Sequence, residues 1–496
     1  MATKNHDRRW SVVAGALIIQ GSLGAVYIWS VFQTPLLAQF PRWSETQVTL
    51  PAQLVIAVLA CSVILGGFIQ DRLGPRLVGS LGGLILGLGL ILAGLTGHFP
   101  SGPALAWLIG TYAVLGGIGI GMAYVCPVAT CVKWFPDKRG LITGLAVAGF
   151  GAGAFFFAPL AQALISGSDY ELFGVALFPL PQAGVFNTFI VLGVIFLLAV
   201  VLGAQLLRNP LPGYCPPGWT PPCSTSSQPS GQSDFTPESR PESNPKPDFT
   251  PNFKPGKMLR TPTFWLLWIT YLAGSTAGLM VIMKAAPIWK AFSLSAAAAS
   301  EIPVSHEYFA DIASAAAMAV AVLALFNAAG RILWGRVSDS LGRRPTLVLM
   351  FILCALVLFA LDWMRPYPLY LLGVSLIALC FGGYLALYPA ICADYFGTRH
   401  IGVNYGLLFT AYGSGGLLGP FLAAALLRTD GSIQYQALDA TGSLATGVFQ
   451  LGEYNVAFMS AGFLCLAAAL LTLALRPPQS DKPGSRTCAQ DTLMSH

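Results

Sequence analysis

Arg331 is the residue most out of place in this sequence. It lies in an apolar run near 308–334, eight residues before Asp339, which marks the polar end of that run. At ~1.5 Å per helical residue it sits ~12 Å inside, close to the middle of a ~30 Å hydrocarbon layer. A charge at that depth costs several kcal/mol unless it has a partner or a task. Its guanidinium is planar, permanently charged and forked, so it grips a carboxylate through two parallel hydrogen bonds. The chemistry on offer is anion binding. The competing reading is a structural ion pair, with Asp394 or another acid of a loop, or an arginine that snorkels to the surface.

The elements that position Arg331 are membrane spans. Of 496 residues 55% are hydrophobic and 10% charged, with a mean hydropathy of +0.67, where soluble chains carry roughly 25% charge. That excludes a soluble enzyme. Apolar runs long enough to cross a bilayer fall near 11–33, 48–70, 77–97, 103–130, 140–165, 185–207, 263–284, 308–334, 346–362, 368–392, 402–427 and 454–475. The first run is too long for a removed signal peptide and lacks a small-residue cleavage site. If the N-terminus is cytoplasmic, the inside segments hold 21 Lys and Arg and the outside loops 5. The positive-inside rule therefore predicts an inner or plasma membrane protein with both termini in the cytoplasm.

Between the sixth and seventh runs, residues 209–261 hold 13 of the 35 prolines and repeat Asp-Phe-Thr-Pro at Asp234 and Asp248. This composition reads as a disordered cytoplasmic linker. It divides the chain into a first half, 1–208, a second half, 262–476, and a polar tail, 477–496. Seven of ten cysteines lie in or at the ends of spans, and Cys215 and Cys223 fall in the linker. No metal site or other cofactor is expected. Gly116-Gly-Ile-Gly119 lies inside a span and is no phosphate cradle, and nothing resembles a catalytic nucleophile. The net charge of +6 is too small to point to nucleic acid.

The halves repeat one another. Gly67, Asp71, Arg72, Gly74 and Arg76 follow the second run; Gly335, Asp339, Gly342, Arg343 and Arg344 follow the eighth, offset by 268. Pro127, Gly140, Gly144, Gly151 and Gly153 map at an offset of 262 onto Pro389, Gly402, Gly406, Gly413 and Gly415. Two such matches mark duplicated six-span halves of the same orientation. Gly67 and Gly335 permit close helix contact. Asp71 and Asp339 can meet a helix N-terminus or a nearby Arg, in contacts that break when the halves rock. A purely topological role is the alternative.

With these paired loops, twelve spans and a long middle segment, the chain resembles the major facilitator superfamily. The resemblance implies an all-α membrane protein, with twelve transmembrane helices in two duplicated six-helix halves. Gly24-Ala-Val-Tyr27-Ile-Trp29-Ser-Val-Phe32, Trp134-Phe-Pro-Asp-Lys-Arg-Gly140, Pro212-Gly-Tyr-Cys-Pro-Pro-Gly-Trp219 and Asn404-Tyr-Gly-Leu-Leu-Phe-Thr-Ala-Tyr412-Gly further resemble the oxalate/formate antiporter family. In that pattern the arginine of span eight is paired with a lysine in span eleven. Here the lysine position is Tyr412, ten residues beyond Gly402 and so about level with Arg331. Lys284, at the outer end of its span, reads as a rim residue.

The resemblance also places Tyr27, Trp29, Tyr124, Phe150, Tyr384, Tyr388 and Phe409 as lining candidates, each with packing or lipid contact as the alternative. Tyr384 and Tyr388 are one helical turn apart and share a face. Gln20 and Gln33 are weaker polar candidates. The first six spans contain no Asp, Glu, Lys or Arg in their interiors, and Asp311, Asp362 and Asp394 lie near span ends. Lack of a midplane carboxylate favours exchange of one anion for another, or uniport, over proton coupling. The expectation is a monomeric transporter of small organic carboxylates, of the oxalate/formate type, working in the lipid bilayer. One charge and a phenol suit a monocarboxylate or a weakly bound dicarboxylate. A proton-linked monocarboxylate carrier stands second and a transporter-like membrane sensor third.

Overall fold

The computed structural model describes residues 2–172, 175–211, 214, 216, 252–438 and 444–478. Asp234, Asp248, Cys215, Cys223 and all but the first residues of the tail lie outside them.

Twelve helices are long and apolar enough to cross a membrane. Spans 1 to 6 are Arg9–Gln33, Thr46–Leu73, Pro75–His98, Ser101–Trp134, Arg139–Ser166 and Gly184–Leu206. Spans 7 to 12 are Pro262–Ala299, His306–Leu341, Arg343–Ala360, Tyr367–Phe396, Ile401–Ala425 and Asn455–Leu473. Local chemistry sets several starts. Ser44 and Gln47 close a reciprocal cap ahead of span 2, with bonds of 3.2 and 2.9 Å. Thr261 caps span 7 ahead of Pro262, and Ser305 caps span 8 through the Tyr308 amide.

The two halves meet along two seams, span 5 against span 8 and span 2 against span 11. The end of the bundle carrying the termini and the basic loops is called the basic face below. Besides a 3-10 turn at the very end of span 3, Thr96–His98, two departures from regular winding lie within the described spans of the first half. Span 1 tightens to a 3-10 turn over Gly24–Ile28, and span 4 loosens to a π-helix over Ile109–Gly116. Such irregularities mark hinges or binding sites more often than plain helix does. The first of them carries Tyr27.

Spans 7 and 8 run past the expected 263–284 and 308–334, so Lys284 and Lys290 belong to continuous helix. Opposite the basic face, each half adds an antiparallel hairpin that a search for long apolar runs passes over. β1 (Asp169–Leu172) pairs with β2 (Val175–Pro179), and β3 (Arg428–Leu438) pairs with β4 (Leu444–Glu453). The longer hairpin packs on the extended ends of spans 7 and 8. Tyr435 stacks on Phe309 at 4.1 Å, and the Gln436 amide donates to the Val304 carbonyl at 3.1 Å.

Candidate binding site between the halves

Arg331 is fully buried, at 0% exposure, on span 8 where it faces span 5. Its Nε donates to Asn327 Oδ1 at 3.2 Å, one turn earlier on the same helix. Its Nη1 donates to the Val147 carbonyl of span 5 at 2.5 Å. Nη2 is buried without a hydrogen-bond partner among the described residues. Asp394 is not its partner: that carboxylate is held by Arg139 and Arg343 at 2.7 and 2.8 Å. The pairing with Asp394 considered from the sequence is thereby removed. A buried donor left unmade costs roughly 1–3 kcal/mol, more for a charged group. Arg331 is thus a permanent cation that meets only neutral oxygens, those of Asn327 and Val147 and the nearby Tyr27 hydroxyl, with no geometrically good hydrogen bond at Nη2.

The surroundings of Arg331 are aromatic. The Phe150 ring of span 5 lies 5.8 Å from the guanidinium carbon. Tyr27 and Tyr124 both meet Phe150 edge-on, at 5.4 and 5.3 Å. The Tyr27 hydroxyl is within interaction range of the guanidinium and 2.8 Å from the Tyr412 hydroxyl, bridging the halves. Phe409 stacks on Tyr412 at 4.7 Å and meets Tyr124 at 4.8 Å. Gln20 donates to the Tyr124 carbonyl at 3.2 Å and so holds that turn of span 4 in place. Arg331, Phe150, Tyr27, Tyr124, Phe409 and Tyr412 therefore form one cluster from spans 1, 4, 5, 8 and 11.

The other candidates lie elsewhere. Tyr388 stands one layer back, stacked on Tyr271 at 4.1 Å with its hydroxyl donating to Thr270 Oγ1 at 2.9 Å. Tyr384 stacks on Phe351 of span 9 inside the second half. Trp29 packs with Tyr112 and Phe189 inside the first half and donates to the Val48 carbonyl at 2.9 Å. Sequence reasoning missed Asn327, Tyr271 and Tyr405. Asn327 carried a signal, since it lies one turn from Arg331. Tyr405 stands in the motif beginning at Asn404 but was not singled out there, and Tyr271 carried no signal that set it apart from other aromatic residues of span 7.

Nearer the basic face, the two repeated loops latch the halves together. Asp71 accepts from the Gly402 and Val403 amides at 3.2 and 3.0 Å, at the start of span 11. Asp339 accepts from the Gly140 and Leu141 amides at 2.9 and 2.8 Å, at the start of span 5. Each carboxylate thus meets the positive end of a helix in the opposite half. The close approach explains the first glycine of each motif: a Cβ on Gly67 would strike the Gly402 backbone, and one on Gly335 the Gly140 backbone. The later glycines, Gly74 and Gly342, turn the chain at φ +87° and +94°.

The motif's final arginines are pinned alike. Arg76 donates to the Leu207 carbonyl past the end of span 6, and Arg344 to the Leu473 carbonyl at the end of span 12. The second latch is reinforced by Arg343, which reaches Asp339 at 2.7 Å and Asp394 at 2.8 Å. In the first, Arg72 lies over the Phe68 ring at 4.0 Å.

Duplicated six-helix halves, latched at one end and enclosing a buried cation, are the architecture of an alternating-access membrane transporter. The sequence profile of the Major Facilitator Superfamily matches residues 10–420 and 291–489, and the chain belongs to that family. The oxalate:formate antiporter of Oxalobacter formigenes is 27% identical over 433 residues, covering 85% of this chain and 86% of its own. Apicoplast pyruvate carrier 1 of Toxoplasma gondii is 28% identical over 422 residues, covering 81% of this chain and 73% of its own. Among solved structures, the proton:xylose symporter XylE bound to 6-bromo-6-deoxy-D-glucose aligns with a TM-score of 0.61 and 13% identity. The alignment covers 95% of this chain and 97% of that one, and shows the shared fold.

Proposed function

We propose that the protein carries small organic carboxylates across a cell membrane by alternating access, exchanging one anion for another, with its basic face in the cytoplasm. The observation that carries this reading is Arg331: buried at the seam, held by the neutral Asn327 and Val147 oxygens, with Nη2 unpartnered. A carboxylate supplies the missing acceptor and the missing charge together. Tyr27 and Tyr412 stand beside it as neutral hydroxyls, and Phe150, Phe409 and Tyr124 wall the site. The names of the two relatives, one an antiporter of carboxylates and one a pyruvate carrier, support the substrate class.

No carboxylate pairs with Arg331 among the described residues, so the cargo itself is the group that neutralises it. Exchange follows from that. An empty site leaves a desolvated cation, and returning with a second anion is easier than returning bare. Rocking breaks the Asp71 and Asp339 latches and opens the site to the basic face. Tyr412 supplies a phenol instead of a second cation, which favours monocarboxylates over tightly held dianions.

Uptake of labelled formate and oxalate into proteoliposomes tests the reading. Uptake is expected in vesicles preloaded with carboxylate and absent in empty ones. Uptake into empty vesicles that follows an imposed pH gradient would replace exchange by proton-linked monocarboxylate transport.

A further inference from the structure

We propose that Tyr124, Tyr271 and Tyr405 form a neutral second pole of the site, which selects monocarboxylates bearing a hydroxyl or carbonyl oxygen at the end away from the carboxylate. The inference rests on the carboxylate reading of Arg331 and specifies its cargo.

Three hydroxyls gather beside the Arg331 cluster, the one of Tyr405 from a helix position nearer the basic face. Tyr405 precedes Tyr412 by seven residues on span 11, so it stands about 10 Å along the axis toward the basic face. The Tyr124 and Tyr405 hydroxyls, from opposite halves, are 3.5 Å apart, the outer limit for a hydrogen bond. The Tyr271 hydroxyl is buried within interaction range of the Tyr405 hydroxyl, without a hydrogen bond of good geometry among the described residues. Its ring cannot turn freely, because it is stacked on Tyr388 with planes 12° apart. Tyr388 itself is spent on Thr270 and offers nothing to a ligand. Tyr124 is fixed by Gln20 behind it and by Phe150 and Phe409 on its flanks.

Both poles share one wall. The Phe150 ring touches the Arg331 guanidinium side and the Tyr124 side alike, at 5.8 and 5.3 Å. A short acid whose carboxylate takes the free Nη2 therefore directs its other end along Phe150 toward the three phenols. Those phenols are neutral donors with no cation among them. A methyl group there leaves buried hydroxyls unsatisfied, which a built site rejects. A second carboxylate there is desolvated without a counter-charge, which is costlier still. A hydroxyl or carbonyl oxygen satisfies them without either penalty.

The test is isothermal titration of acetate, glycolate and oxalate against the purified full-length protein, with the Tyr271→Phe/Tyr405→Phe double variant and Arg331→Gln beside it. The wild-type protein is expected to bind glycolate about tenfold more tightly than acetate, with oxalate no tighter than glycolate. The double variant should bring glycolate and acetate to within about twofold of each other. The melting midpoint checks that it is folded, and either single Phe variant should show part of the effect. If acetate binds in an Arg331-dependent way and glycolate binds no better, the second pole is overturned while the carboxylate reading stands. A preference that survives both Phe substitutions overturns it too. If none of the three acids binds, the carboxylate reading falls and takes the second pole with it.

Discussion

The two seams that join the halves are built from the same duplicated pattern but differ in charge. Along spans 5 and 8, Asp339 caps the opposing helix, Arg343 bridges Asp339 and Asp394, and Arg139 closes the ring on Asp394. Deeper along the same seam, Arg331 reaches the Val147 carbonyl. Along spans 2 and 11, Asp71 makes the same capping bonds, but the ring around them is absent. The repeat shows why: Pro75 occupies the position of Arg343, Val132 that of Asp394, and Ile401 takes the place of Arg139. At the level of Arg331 the second seam carries Phe409 and Tyr412. Duplication kept the acid-to-helix-end contact twice and the ionic machinery once. One seam carries an ionic ring at its gate and a cation at its site; the other has the Asp71 carboxylate at its gate, with Lys133 in electrostatic range, and no charge at its site among the described residues.

Substitutions can break or sharpen that contrast. The largest effect belongs to Arg331, the one charge at the site among the described residues: Arg331→Gln is expected to lower carboxylate exchange in proteoliposomes about a hundredfold or more. Next comes a cation added to the second seam at the level of the site. Tyr412→Lys faces Arg331 across the cluster and should shift the ratio of oxalate to formate exchange about tenfold toward the dianion. It costs the Tyr27 hydroxyl its 2.8 Å partner.

At the gate, Asp339→Asn should destabilise the latched state by about 2–3 kcal/mol, since it weakens two amide contacts and strips Arg343 of one carboxylate. Asp71→Asn loses the capping charge and its attraction to Lys133, with no ionic ring to break, and should cost about 1–2 kcal/mol. Melting midpoints in one detergent compare the two directly; equal shifts would mean the ring adds nothing. The smallest effect is expected from Pro75→Arg. The new arginine has Asp71 one turn before it but, without an acid at Val132, no second carboxylate to bridge to, and the change should stay within ~0.5 kcal/mol in the same melts.

Much of this was readable from the chain, for reasons that particular residues make plain. Arg331 declared itself because depth in an apolar run is a matter of counting from Asp339. The paired capping roles of Asp71 and Asp339 followed from a repeat whose acids sit at span ends. Which way a side chain faces is harder. Tyr384 and Tyr388 share a helix face by spacing, yet Tyr384 packs on Phe351 and Tyr388 on Tyr271, since span 10 has neighbours on both flanks. Trp29 lies two residues from Tyr27 and turns into the first half instead of the seam. Tyr271 and Tyr405 became visible only once spans 7, 4 and 11 were brought together. The hairpins escaped because their strands lie outside the apolar runs that organise the rest.

The central claim is that Arg331 waits for a carboxylate. Isothermal titration of acetate against wild type and Arg331→Lys measures it most directly. Lysine keeps the charge but loses the fork, and its ammonium cannot hold Asn327, Val147 and a ligand oxygen in the same geometry. The account predicts heats of binding for the wild type and a loss of affinity of about tenfold or more in the variant. Equal affinity in the two proteins would contradict it and return Arg331 to a structural role.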